Sequence, residues 1–555
     1  MHKILKKTIK YTACGIGILL FAIILFVSIL YFSADMLTPD YTPKANGELV
    51  QTDSLREYAG NYLRQSNSGL WELKVSGDAF QRGEVIGKLS SDLLYYQEKV
   101  FVDQIREIVP SDNYLKFLRF FIVLFNRNLG ENVPEEFRDE IYGISLSCTH
   151  EYDFIGTPYE RQLNYHSAHD LGHAMQDYML VGCSSFATWG ENSADSSLII
   201  GRNFDFYMGD KFAHNKLVSF YQPEQGYKFA SVGWPGMIGV LSGMNETGLT
   251  VTINAAKSDM PTASATPISI LTREILQYAS TIDEAYAIAL KRKTFVSESI
   301  LIGSAQDGRA AIIEKSPEKT ALFTSSGNQI ICTNHYQSDT FRNDECNQEN
   351  IATSDSPYRF ARLQELLKEN KPIDPMKAAS ILRNQKGLDN IDLGMGNEMA
   401  INQLIAHHSV IFLPKKQIMY VSTSPWQCGK YMAYDLNKIF SDTIDFHHEI
   451  ATLNLTIPED NFIRQANYKQ FMAYKRLTKL IREKTQRKET IETKVLNLYE
   501  ASNPSFYYVY EVLGDYYAAI QQIDTAITYW QKALTMPIPK QAEKVRIQQK
   551  INKNQ

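Results

Sequence analysis

The feature that most constrains this chain is an uncharged apolar run over residues 13–32, preceded by Lys3, Lys6, Lys7 and Lys10. Coiled as a helix rising about 1.5 Å per residue, it matches the roughly 30 Å hydrocarbon core of a bilayer. The basic flank, set against Asp35 and Asp40 beyond the run, predicts a cytoplasmic N-terminus and everything after about residue 35 on the outer side. The expectation is a membrane-anchored protein, held through residues 13–32, with its bulk periplasmic or extracellular. A cleaved signal peptide is the rival reading. It would have a shorter apolar region ending at a small-x-small site, whereas Phe32-Ser33-Ala34 puts a bulky residue there. Cys14 sits in the run as a spectator and lacks the context of a lipid acylation site.

A chain of 555 residues is too long for one ordinary core, so a large domain with an appendage is expected. With 44% hydrophobic, 21% charged and 12% aromatic residues it is not globally disordered, and a net charge of -5 argues against nucleic acid as a partner. Export permits disulfides, yet Cys148, Cys183, Cys332, Cys346 and Cys428 make an odd set, which leaves a thiol over. No Cys-x-x-Cys pair suggests a zinc or redox motif.

Residues 55–178 read as mainly helical, with apolar residues three and four apart. From Cys183 the texture turns to short β-rich runs at 198–206, 217–221, 229–234, 239–242 and 249–254, with Asn245-Glu246-Thr247-Gly248 as a hairpin turn. A helical stretch over 267–291 precedes strands at 299–304, 310–315, 320–325 and 329–332. Helices at 357–369 and 376–383 and strands at 409–413 and 417–422 follow. This order predicts a layered α+β domain with helices covering antiparallel sheets. Beyond about residue 460 the chain is helical, and Tyr510, Leu513, Gly514, Tyr517, Ala526, Trp530 and Ala533 fall at tetratricopeptide (TPR) spacings over 507–540. A lone repeat cannot bury its own face, so it is expected to pack on neighbouring helices, on the main domain, or on a protein partner.

Two strands carry the chemistry: Val181-Gly182-Cys183-Ser184-Ser185-Phe186-Ala187, and Gly201-Arg202-Asn203-Phe204-Asp205-Phe206 after a turn. These residues resemble the N-terminal-nucleophile hydrolases of the acyl-coenzyme A:6-aminopenicillanic-acid acyltransferase family, which is similar to the choloylglycine hydrolases. The resemblance extends over roughly residues 75 to 440, with Asn254, Asn334 and Arg359 in matching order. It implies a four-layer αββα sandwich, self-cleavage between Gly182 and Cys183, and hydrolysis or transfer of the acyl group of a linear, non-peptide amide through a Cys183 thioester. The expected divisions are 1–34 (basic end and signal-anchor), 35–182 (helix-rich propeptide or α chain), 183–455 (catalytic domain) and 456–555 (helical extension).

An N-terminal cysteine supplies its own base, since a free α-amine has a reference pKa of about 7.7–8.0. The resemblance gives Asp205 the ammonium to hold and Arg202 the thiol pKa to lower. It makes Asn254 and Asn334 the oxyanion donors and sets Arg359 near the nucleophile, as electrostatic support or as the binder of a substrate carboxylate. Trp189, Phe206, Trp234 and His408 are candidates for an apolar substrate pocket. No cofactor and no metal is expected. Two other readings stand beside this one. His166, His169 and His173 share one helical face and could bind zinc in a metal-dependent hydrolase, although the His-Glu-x-x-His pattern is missing. The chain could also be an inactive anchored scaffold that recruits a protein partner through its C-terminal helices.

Overall fold

The computed structural model describes residues 2–43, 45, 47–52, 54–108, 111–167, 180–257, 265–441 and 443–555. Its early strands are β1 (Val50–Gln51), β2 (Leu55–Tyr58), β3 (Asn61–Gln65), β4 (Trp71–Gly77), β5 (Leu180–Thr188) and β6 (Ile199–Tyr207). The middle of the chain supplies β7 (Leu217–Pro223), β8 (Phe229–Gly233), β9 (Ser242–Asn245), β10 (Leu249–Ala255), β11 (Glu298–Ser304), β12 (Arg309–Lys315), β13 (Thr320–Thr324) and β14 (Gln329–Cys332). The last are β15 (His408–Leu413), β16 (Ile418–Ser422) and β17 (Tyr431–Asp435). They form an eleven-stranded sheet, β1-β2-β3-β4-β7-β8-β9-β10-β11-β12-β13, and a six-stranded sheet, β14-β5-β6-β15-β16-β17. Among these seventeen strands pairing is antiparallel except between β4 and β7, which run parallel.

The two-residue period of a strand sends Ile300, Ile302, Ala311 and Ile313 to one face of the large sheet and Leu301, Ala310 and Ile312 to the other. A sheet apolar on both faces must be covered on both, and this sets the layers. One face lies under helices Ala79–Ile108, Glu135–Ser145, Ile268–Tyr278 and Ile282–Lys291. The other meets the small sheet, where Ala187, Ile200, Val410, Phe412 and Val421 interdigitate with Val218, Phe220 and Val232. The outer face of the small sheet, with Phe186, Ile199, Ile411 and Tyr420, is closed by helices Ser356–Asn370 and Pro375–Leu382. The body of the chain is therefore an α+β sandwich of four layers, αββα.

The expected hairpin at 245–248 joins β9 to β10: the Asn245 carboxamide accepts the Thr247 and Leu249 amides, and Gly248 takes φ +79°. The expectation of helix from residue 55 is corrected over 55–77, where β2, β3 and β4 extend the large sheet. Ala59 and Gly60, both at positive φ, make the tight turn that pairs β2 with β3. The segment before Cys183 is thus woven into the sheet that follows it.

The helix His2–Phe32 contains the apolar window Cys14–Tyr31, none of it buried, long and apolar enough to cross a membrane, as an anchor or a signal sequence would be. At the other end, helices Ala466–Arg487, Thr493–Ser502, Tyr507–Ala519, Ile523–Leu534 and Gln541–Asn554 share one core, which also takes in Leu404 and Cys428 of the sandwich. Gly514 lets Trp530 close on it, since a Cβ there would stand 2.4 Å from the indole.

Candidate active site

Register decides what surrounds Cys183. In the β5–β6 pair Cys183 faces Phe204 and Ser185 faces Arg202, while Gly182 faces Asp205 and Ser184 faces Asn203. Alternation sends the first group between the sheets and the second to the outer, helix-covered face. Between the sheets, the Arg202 Nη2 lies 3.8 Å from the Cys183 Sγ and also donates to the Ile253 carbonyl. Its Nη1 donates to the Leu241 carbonyl at 3.2 Å and to the Ser242 hydroxyl. The guanidinium stacks 4.3 Å from the Phe204 ring centre. Burial pushes the Cys183 thiol above its ordinary pKa; Arg202 works against this and Asp205 with it. The expected lowering by Arg202 is therefore outweighed in the continuous chain, and the thiol is protonated at neutral pH.

Behind Arg202, His408 Nε2 stands 2.8 Å from the Ser242 hydroxyl and 3.3 Å from Arg202 Nη1. Since a guanidinium only donates, this nitrogen is an acceptor, and the His408 Nδ1–H then donates to His407 Nδ1 at 3.0 Å. Burial holds both imidazoles neutral, with His407 pulled down to about 3.

The helix Ser356–Asn370 delivers Arg359, fully buried, to the outer face. Arg359 donates to the Cys183 carbonyl at 2.6 Å, the Ser184 hydroxyl at 3.1 Å, the Asn334 Oδ1 at 2.7 Å and, one turn back, the Asp355 carboxylate at 2.7 Å. These bonds use four of its five N–H groups and leave one on Nη2. The Asn334 Oδ1 also accepts the Cys183 N–H at 2.9 Å, and its Nδ2 donates to the Ala255 carbonyl at 2.8 Å. Asn254 accepts the Ser185 hydroxyl at 2.8 Å and donates to the Cys332 carbonyl at 2.9 Å, tying β10 to the small sheet. Each carboxamide keeps a second N–H beyond these bonds.

Left over at this site among the described residues are Arg202 Nε, His407 Nε2 and the carboxyl of Asp205. Completely buried opposite Gly182, the Asp205 carboxyl has no hydrogen-bond partner on either oxygen among the described residues. Burial pushes its pKa up to about 8 against the pull of Arg359 and Arg202, so around neutral pH it is largely an uncharged acid. A buried polar group left unpaired in a native fold calls for an explanation.

Phe206 and Trp234 stack with ring centres 5.9 Å apart and, with Leu94, Phe101, Phe212 and Met237, line a small cavity of about 40 Å3. Trp189 does not line it, because six residues of extended strand carry it roughly 20 Å from Cys183. It packs instead beside the inter-sheet core. His408 lies behind Phe204, at 5.2 Å between ring centres. His166 Nδ1–H donates to the Gln162 carbonyl at 2.7 Å and Nε2 accepts the Ile238 N–H at 3.0 Å. Both ring nitrogens are thus engaged, which leaves no lone pair for zinc; His169 and His173 lie outside the described residues.

Asp355 and Ser242 escaped the sequence reading. Asp355 carried a signal, four residues before Arg359 on one helix. Ser242 carried none.

Comparison with known proteins adds a family. The model described as acyl-coenzyme A:6-aminopenicillanic acid acyl-transferase matches residues 190–421, a span that opens just after Cys183. An uncharacterized protein of Archaeoglobus fulgidus is 24% identical over 278 residues, 47% of this chain and 46% of its own length. Protein dcd1B of Dictyostelium discoideum is 23% identical over 271 residues, 45% of this chain and 51% of its own length. The chain thus spans about half the length of these curated relatives. Among solved structures, the Caenorhabditis elegans N-acylethanolamine-hydrolyzing acid amidase ortholog aligns at 15% identity and a TM-score of 0.31, covering 42% of this chain and 93% of that one. A mutant conjugated bile acid hydrolase from Clostridium perfringens aligns at 14% identity and a TM-score of 0.31, covering 46% and 93%.

Proposed function

We propose that this chain, whose residues 190–421 are a domain of the acyl-coenzyme A:6-aminopenicillanic acid acyl-transferase family, is a self-processing cysteine amidohydrolase or acyltransferase with Cys183 as its nucleophile. The observation that carries the proposal is Asp205, an unpartnered buried carboxyl in register with Gly182. Cutting the Gly182–Cys183 peptide creates an α-ammonium beside it, and the pair satisfies both charges. The acid that is isolated in the continuous chain becomes the counter-ion of the processed one.

In processing, the Cys183 thiol loses its proton and Sγ adds to the Gly182 carbonyl carbon. The C–N bond breaks with the proton going to the released amine, leaving a thioester, and water hydrolyses that to a Gly182 carboxylate and a free thiol. Substrate follows the same course. The α-amine takes the Sγ proton, Sγ adds to the amide carbon, and second N–H groups of Asn334 and Asn254 meet the oxyanion. The leaving amine departs with the proton from the α-ammonium, and the acyl-Cys183 thioester passes its acyl group to water or to an acceptor amine. The aromatic lining of Phe206, Phe212 and Trp234 suits an apolar acyl part. The helix His2–Phe32 would anchor the enzyme, with the sandwich on the extracytoplasmic side.

The test is a panel of N-acyl amides, followed by mass spectrometry of the peptide that begins at Cys183. The expected result is a hydroxylamine-labile acyl adduct on Cys183, absent in Cys183→Ala, with added amines diverting the acyl group if the enzyme transfers it. Turnover that survives Cys183→Ala, or that a chelator abolishes, would sink the proposal.

A further inference from the structure

A second buried group beside Gly182 also lacks a partner. Gln403 is 2% exposed and its Nε2 makes no hydrogen bond among the described residues. A Cβ built on Gly182 would stand 2.6 Å from that Nε2 and 3.2 Å from its Oε1, so the carboxamide lies against the bare side of the glycine. The direction follows from alternation: a side chain at 182 points to the outer face, as Asp205 does, whereas the Cys183 Sγ lies between the sheets.

The C-terminal helices hold Gln403 there. Gly394 and Gly396, at φ +79° and +83°, admit Phe506 and Phe471, which a Cβ at these positions would meet at 2.5 and 3.1 Å. Between them both backbone groups of Met395 bond the Asn503 carboxamide, at 2.9 and 2.8 Å. Asn397 donates to the Pro537 carbonyl at 3.2 Å, Glu398 pairs with Lys540 at 2.6 Å, and Leu404 is buried in the helical core. A few residues on, the His407 N–H donates to the Phe204 carbonyl at 2.9 Å. Gln403 is therefore pinned on one side by the helical unit and on the other by β6.

We propose that Gln403, positioned by the C-terminal helices, is an oxyanion donor for the cleavage after Gly182. The proposal rests on the self-processing reading above. When Sγ adds from between the sheets, the Gly182 carbonyl carbon becomes tetrahedral and its oxygen bends away from the sulfur, toward the outer face. The Gln403 N–H, idle in the ground state, then gains an acceptor as negative charge develops, which is the condition for a donor that favours the transition state over the ground state. The helical unit is accordingly part of the processing machinery.

The experiment is a time course of cleavage in the full chain, made by cell-free synthesis into lipid nanodiscs and read by denaturing mass spectrometry. Gln403→Met, which keeps the volume and loses the donor, is expected to slow cleavage about 100-fold or more. In the uncleavable Cys183→Ala background the same change should leave thermal unfolding where it was, which separates a lost donor from lost packing. Asn503→Ala, which loosens the clamp without touching Gly182, should slow cleavage several-fold. Wild-type chain that is cut while Gln403→Met is cut within two-fold of its rate would overturn this proposal alone. Asn503→Ala at the wild-type rate would overturn the role of the helices, and wild-type chain that stays whole would overturn the proposal together with the reading it rests on.

Discussion

The two sides of the Gly182–Cys183 peptide differ in how well their polar groups are matched. On the Cys183 side, Arg359, Asn334, Asp355 and the backbone of Cys183 are joined by hydrogen bonds, and the Arg202 Nε beside the thiol is left over among the described residues. On the Gly182 side, the Asp205 carboxyl and the Gln403 Nε2 are buried without a partner among the described residues. Folding favours matched groups, so the bonds on the first side read as the frame that holds Cys183 in place. The mismatch on the second is intelligible if the peptide between them is a reactant, because both groups gain partners once charge appears there. The contrast teaches that the thiol alone does not identify the site. Cys148, Cys332 and Cys428 are also pushed above their usual pKa by burial, so a raised thiol does not by itself mark the nucleophile.

The comparison can be broken most forcefully on its matched side. Arg359→Ala in the Cys183→Ala background leaves the Asp355 carboxylate and the Cys183 carbonyl unpaired, and should lower stability by about 3–5 kcal/mol, measured as a shift in denaturant midpoint. Asn334→Ala removes an oxyanion donor and the acceptor of the Cys183 N–H, and amide turnover should fall about 100- to 1000-fold with KM little changed.

On the unmatched side the sign is opposite. The folded-state pKa of Asp205, about 8, lies above the unfolded value of about 3.9, so the continuous chain is favoured at low pH. That contribution is lost as pH rises toward and through 8. Asp205→Asn in the Cys183→Ala background should therefore raise the melting temperature at pH 8–9 and flatten its decline from about pH 4 upward. A steeper decline would show that Asp205 already has a partner before cleavage. The smallest effect belongs to the cavity. Trp234→Ala should raise KM for apolar acyl amides about ten-fold, the loss expected for one aromatic wall, with kcat retained.

Much of this was legible beforehand for identifiable reasons. The strands of the double-sided core announce themselves as apolar runs between turn residues, and the 198–206 and 249–254 readings fall within a residue or so of β6 and β10. The pair Gly182-Cys183 and the run Gly201–Asp205 were legible through a family resemblance, since no periodicity marks a reactive peptide. The strands over 55–77 were obscured because Leu55-Arg56-Glu57-Tyr58 is short and half polar, and its pairing depends on a turn made by Ala59 and Gly60. Gln403 was illegible for a deeper reason. Its place against Gly182 is set by glycines, Asn503 and aromatic side chains of a distant helical unit, and no local pattern in 394–404 records that contact.

The most direct measurement is the intact mass of the purified chain under denaturing, non-reducing and reducing conditions. The account predicts two pieces, one ending at Gly182 and one beginning with Cys183, in both conditions, and a single uncut chain in Cys183→Ala. A wild-type chain of full mass, with amide turnover, would contradict it.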